Sequence, residues 1–199
     1  SKGIPHGAVI GVDGTLLWAG NPLSAPKDIE DLIQAELTKV KKGWGDTSEA
    51  RKVRAALYGK GDLAGAANLV AAMADGDEKT QLQGEVDRRY ASAKKGITTL
   101  QEQGRWLDAQ AAAKELGKSV TAKPEWVAEV APMLAEFDSE AGKAELALEK
   151  KLGKTLKQLR DKKADGAPKA LAAIIKNGGN TKVGARAERL LKALETPLK

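Results

Sequence analysis

The chain has no cysteine and one histidine, His6, in 199 residues. The first absence excludes disulfides, thiolate nucleophiles and zinc sites of the cysteine type, and the second leaves metal chemistry poorly supplied. No catalytic residue, metal site or cofactor is therefore assigned from the sequence, and no small-molecule substrate is evident. Aromatic residues are scarce at 4 %, while alanine and leucine recur, a composition that packs helices better than a large sheet. No run approaches the roughly 20 apolar residues of a membrane span, and the first residues lack the basic and apolar regions of a secretory signal. The expectation is a soluble chain without a membrane partner or a targeting segment.

What is present is an ordinary globular mixture of 42 % hydrophobic and 30 % charged residues. The 33 Lys and Arg against 27 Asp and Glu give a net charge of +6, enough for weak attraction to polyanions. The basic residues alternate with acidic ones along helix faces, and no aromatic-rich strand offers base stacking. Specific nucleic-acid binding is not expected; a basic nucleic-acid-binding protein is the third reading, with only the charge behind it.

Along the chain, Ala8 to Val12 and Thr15 to Trp18 read as two strands joined by a turn at Asp13-Gly14. Gly20-Asn21-Pro22 breaks the second strand. A helix then starts at Ser24 or Ala25, with Pro26 in its first turn and Gly43 as its stop. Its apolar stripe is Ile29, Leu32, Ile33, Leu37 and Val40. From Asp46 onward only helical periodicity remains. Asp46 with Glu49 resembles a capping box for a helix ending at Gly59 or Gly61, and a second helix runs through Ala66, Val70 and Met73. Leu82, Val86, Tyr90, Ala93, Ile97 and Leu100 mark one long helix over 78–102. Trp106 to Leu116 makes a helix closed by Gly117, and Pro124 opens another that Pro132 is expected to kink or end. Asp138 or Ser139 caps a long helix whose apolar positions are Ala141, Ala144, Leu148, Leu152, Thr155 and Leu159, its other faces solvated. Pro168 opens a helix ending at Asn177-Gly178, and Thr181 caps the last, which Pro197 terminates.

Two resemblances arise from these residues. Gly3-Ile4-Pro5-His6, a strand, Asp13-Gly14, a strand ending in Trp18, Gly20-Asn21-Pro22 and an amphipathic helix together resemble the C-terminal half of a thioredoxin-like domain of the TlpA/redoxin type, over residues 3–43. The resemblance implies that Pro5 is a cis proline at the edge of a redox site, but the cysteine-bearing half is absent. The helical part resembles tetratricopeptide-like hairpins. Gly61-Asp62-Leu63-Ala64-Gly65-Ala66, Gly104-Arg105-Trp106-Leu107-Asp108-Ala109 and the looser Asp165-Gly166-Ala167-Pro168-Lys169-Ala170 each join helix to helix, at an irregular spacing that argues for degenerate hairpins.

Other motif echoes fall to plainer readings. Asp13-Gly14-Thr15 lacks the nucleophilic aspartate that a haloacid-dehalogenase site needs, because Gly11 stands there, and Gly153-Lys154-Thr155 lies in helical periodicity, where no phosphate cradle forms. Glu136, Asp138 and Glu140 read as capping residues at a helix start. His6, Trp18, Trp106 and Trp126 are the candidate interaction residues. The expected fold is mainly α, with a partial thioredoxin-like β-β-α unit over 1–45 and an α-helical hairpin region over 46–199. The expected function is a non-catalytic protein-interaction or scaffold module that self-associates or meets a protein partner through the open strand edge at Ala8 to Val12. The alternative is the C-terminal fragment of a bacterial thiol-disulfide oxidoreductase. The family resemblance would imply the periplasm or cell envelope, and otherwise the cytoplasm.

Overall fold

A computed structural model describes residues 6–161 and 166–195; Pro5, Asp165 and Pro197 lie outside them. The described residues form a two-stranded sheet followed by nine helices, so the chain is mainly α. It divides into two compact units, with the break between Tyr90 and Ala91.

In the first unit β1 (Gly7–Ile10) and β2 (Leu16–Gly20) pair antiparallel, with Val9 opposite Trp18 and Ile10 opposite Leu16. Leu17 is therefore the extra residue of a bulge. Val12 and Thr15, expected in the strands, belong to the loop instead. Gly11 N–H donates to the Thr15 carbonyl (2.8 Å) and Gly14 N–H to the Gly11 carbonyl (2.9 Å), and the Asp13 carboxylate accepts Thr15 N–H at 3.0 Å. These bonds close a longer turn than a two-residue hairpin, with Gly14 at φ 86°.

Helix α1 (Pro26–Lys42) begins on Pro26, whose missing N–H costs nothing there, and stops at Gly43, φ 79°. Any Cβ at Gly43 would overlap the Arg51 carbonyl oxygen, so the chain turns tightly into α2 (Ser48–Arg54). Thr47, not Asp46, caps α2. Its hydroxyl accepts Ala50 N–H (3.0 Å) and also donates to the Glu78 carboxylate (2.8 Å), a double role that a carboxylate at Asp46 could not fill. The helix then widens into a π-helical segment, Ala55–Lys60, ended by Gly61 at φ 69°. Asp62 caps α3 (Leu63–Ala71), and α4 runs over Asp77–Glu102. The Arg54 guanidinium meets Glu85 at 2.6 Å and donates to the Trp44 carbonyl at 3.1 Å, tying α2 to the first half of α4.

The core of this unit is Val53, Leu57, Val70, Leu82 and Val86, all on helices after residue 45. Among residues 6–42 only Gly11 and Glu36 are buried. The expected stripe on α1 is therefore only partly covered. Ile29, Leu32 and Val40 are half-buried, while Ile33 and Leu37 are 43 % and 47 % exposed.

In the second unit α7 (Glu140–Arg160) packs against α5 (Trp106–Ser119), α6 (Pro124–Asp138), α8 (Ala167–Gly178) and α9 (Lys182–Glu195). Helix α5 passes Gly117 by two residues, and α6 runs through Pro132 to Asp138. The proline removes one helix hydrogen bond at a cost of about 3 kcal/mol. Burial of Val130 and Phe137 on either side of it, at about 1.5–3 kcal/mol each, offsets that cost. Gly104 (φ 72°) and Gly61 make the same left-handed turn ahead of a helix, which accounts for two of the three repeated joints.

The buried stripe of α7 is rotated from the expected one. Ala141 and Ala144 are exposed, whereas Gly142, Glu145 and Glu149 are buried with Leu148, Leu152 and Thr155. The reason lies in the neighbouring helix starts. Glu145 accepts the N–H groups of Lys182 (2.7 Å) and Val183 (3.0 Å) at the start of α9. Glu149 accepts Leu107 N–H (2.5 Å) at the start of α5, and Arg186 (3.2 Å). First-turn amides have no acceptor within their own helix, and an aliphatic stripe offers none. Replacing Glu145 with Ala orphans two of them and is expected to destabilise the protein by about 2–4 kcal/mol in urea unfolding. A cost under about 0.5 kcal/mol would show that solvent satisfies those amides equally well.

Candidate functional site

The open part of the molecule is the N-terminal hairpin. Side chains alternate across a strand pair, so Ala8 and Ala19, and Ile10 and Leu16, are cross-strand neighbours on one face. All four are exposed, Ile10 to 64 % and Leu16 to 61 %. Leu23, just beyond β2, is 79 % exposed. Residues 7–19 carry one charged side chain, Asp13. The surface is thus a bare apolar face with almost no charge to repel another protein, and both strands of the pair are sheet edges.

The opposite face is partly closed. Trp18 and Val9 are half-buried there, and the indole lies over the paired Gly7 and Gly20, where added Cβ atoms would come within 3.8 Å and 3.2 Å of the ring. The ring supplies the packing that two glycines cannot.

What fixes the hairpin to α1 is a carboxylate. Glu36 is 8 % exposed, and it accepts Val12 N–H at 2.8 Å while pairing with Lys39 at 2.5 Å. The Lys39 ammonium, and next the Val12 amide, hold the Glu36 carboxyl below the usual carboxylate range. Asp13 is lowered too, chiefly by the Thr15 backbone N–H. The two groups brace the two ends of one loop.

The candidate residues occupy four separate places. His6 is exposed just ahead of β1, Trp18 packs on the hairpin, and Trp126 is half-buried on α6. Trp106 is a core residue of the second unit, 7 % exposed and edge-on to Phe137 at 5.7 Å, its buried indole N–H without a hydrogen-bond partner among the described residues. Pro5, at the position read as a cis proline, lies outside the described residues. Among the described residues no three His, Asp or Glu side chains converge as metal ligands. Glu36, Glu145 and Glu149 were missed in the sequence. Their signal was a glutamate at a helix position that the apolar spacing assigns to the covered face: Glu36 stands four residues from both Leu32 and Val40, and Glu149 three from Leu152.

No protein-family model, no curated protein and no solved structure matches the chain.

The lowered pKa of Glu36 stabilises the folded chain at neutral pH. A carboxyl whose folded pKa lies below its unfolded value, about 4.3, contributes fully above that value and loses its contribution as pH falls through the folded one. The Val12 amide shift in an NMR titration is expected to stay flat from pH 7 to about 5 and to move with a midpoint below the ordinary glutamate value. In Glu36→Gln that step disappears. A midpoint at or above the ordinary value would show that the Lys39 and Val12 contacts do not form in solution.

Proposed function

We propose that this protein is a non-catalytic interaction module that associates through its N-terminal hairpin, in the first place with a second copy of itself. The observation that carries the reading is the uncovered face of Ala8, Ile10, Leu16 and Ala19. An isolated two-stranded hairpin is marginal in water, and pairing along a strand edge converts it into a wider sheet with a continuous apolar face. The helices after residue 45 carry the core; α1 packs against them and holds the hairpin through Glu36, leaving its outer face open.

A second reading rests on the same face: the chain is the closing portion of a thioredoxin-like thiol-disulfide oxidoreductase, and the cysteine-bearing half covers the hairpin. The resemblance of residues 3–43 supports it. In that case the redox chemistry belongs to the other half, since this chain supplies no thiol.

Sedimentation of the purified chain distinguishes the two. Self-association predicts a concentration-dependent dimer or higher oligomer. Replacing Ile10 and Leu16 by Lys is expected to return it to monomer with unchanged helical circular dichroism, since both side chains are exposed. A wild-type chain that stays monomeric at about 100 times the concentration at which it is first studied, a span worth about 2.7 kcal/mol of association free energy, would overturn self-association and leave the second reading in possession of the face.

A further inference from the structure

A groove of about 370 Å³ lies between α5 and α6, wholly within the second unit. That volume falls in the range of small-molecule sites, roughly 300–1,000 Å³, and its lining is apolar, with lysine and threonine side chains along α5 and its end. Val120 and Val130 come from the core, and Val127, Ala131 and Leu134 extend the apolar wall outward along α6. Gly117 holds the floor open. A Cβ there would stand 3.2 Å from Leu134 Cδ1, so any larger residue would press into the place where the two helices come near each other.

The rim carries one sign of charge. Lys114 and Lys118 line the groove one helical turn apart, with Thr121 beyond them, and none of the described residues lining it is acidic. Lys118 pairs with Glu115 at 2.6 Å, but the two side chains are 73 % and 72 % exposed, so water screens the pair and a ligand can compete for the ammonium. Lys114 has no carboxylate at ion-pair distance among the described residues. An apolar trough flanked by two lysines on α5 suits a single aliphatic chain with an anionic head.

We propose that the groove between α5 and α6 binds single-chain aliphatic carboxylates, with the chain along Val120, Val127, Val130 and Leu134 and the carboxylate at Lys114 and Lys118. This goes beyond the association surface and does not depend on it.

Calorimetric titration of the full chain with octanoate, decanoate and dodecanoate, each below its micelle concentration, tests the proposal against the alcohols of the same length. Kd is expected to tighten about fourfold for each methylene that enters the groove, the equivalent of about 0.8 kcal/mol. The carboxylates should bind at least several-fold tighter than the alcohols, and Lys114→Gln should remove most of that margin while sparing the alcohols. Ala131→Phe, on an exposed position of the wall, should abolish binding of both with helical content and melting temperature unchanged. Equal affinity for acid and alcohol, no dependence on chain length, or an Ala131→Phe chain that folds and binds as before would each overturn it. The acid–alcohol comparison uses the unaltered chain, so it decides the matter even if Ala131→Phe does not fold.

Discussion

The structure depends on buried carboxylates that accept backbone amides from distant segments. Glu36 holds Val12, Glu149 holds Leu107, and Glu145 holds Lys182 and Val183. Each accepted N–H sits in a turn or a helix start, where the chain's own secondary structure provides no acceptor. A buried carboxylate left alone is costly, and so is a buried amide left alone; together they satisfy each other. Glu145 and Glu149 lie one turn apart on α7, where two like charges repel. The helix starts of α9 and α5 turn partial positive charge toward them, and Arg186 adds a full one, so the repulsion is offset at both positions. Helix α7 can therefore serve as the central element of the second unit while carrying two acids on its covered side.

The same device explains why the hairpin is ordered although it buries so little. The side chains of β1, β2 and α1 supply none of the buried apolar core. Trp18 covers the Gly7–Gly20 pair, and Glu36 fastens the loop to α1. These contacts orient the hairpin without using its outer face, which is why Ile10 and Leu16 remain exposed. A surface of this kind tolerates little charge, and its single aspartate is turned into the loop to hold Thr15.

Much of this architecture is legible in the sequence, because apolar spacing and caps report on backbone periodicity directly. The long helix over 78–102, a first helix with Pro26 in its first turn, the stop at Gly43, the Thr181 cap, and a cap at Asp138 or Ser139, of which Ser139 serves, all follow from residues whose effect is local. The parts that were not legible depend on partners far along the chain. Thr47 displaced Asp46 as a cap because its hydroxyl also reaches Glu78, 31 residues away. The stripe of α7 rotated because Glu145 and Glu149 answer amides 37 and 42 residues distant. Leu37 reads as core by periodicity but stays exposed, since no described element of the unit covers that side of α1. The open face of the hairpin was visible only in outline, as a strand edge; that its apolar side is bare follows from where the helices pack.

Native-state hydrogen exchange at Val12, Leu107, Lys182 and Val183 addresses the carboxylate–amide account most directly. The account predicts that Lys182, Val183 and Leu107 exchange as slowly as core helix amides, and that Val12 exchanges more slowly than open loop amides and speeds up in Glu36→Gln. Rapid exchange at all four, at the rate of open loop amides, would contradict it.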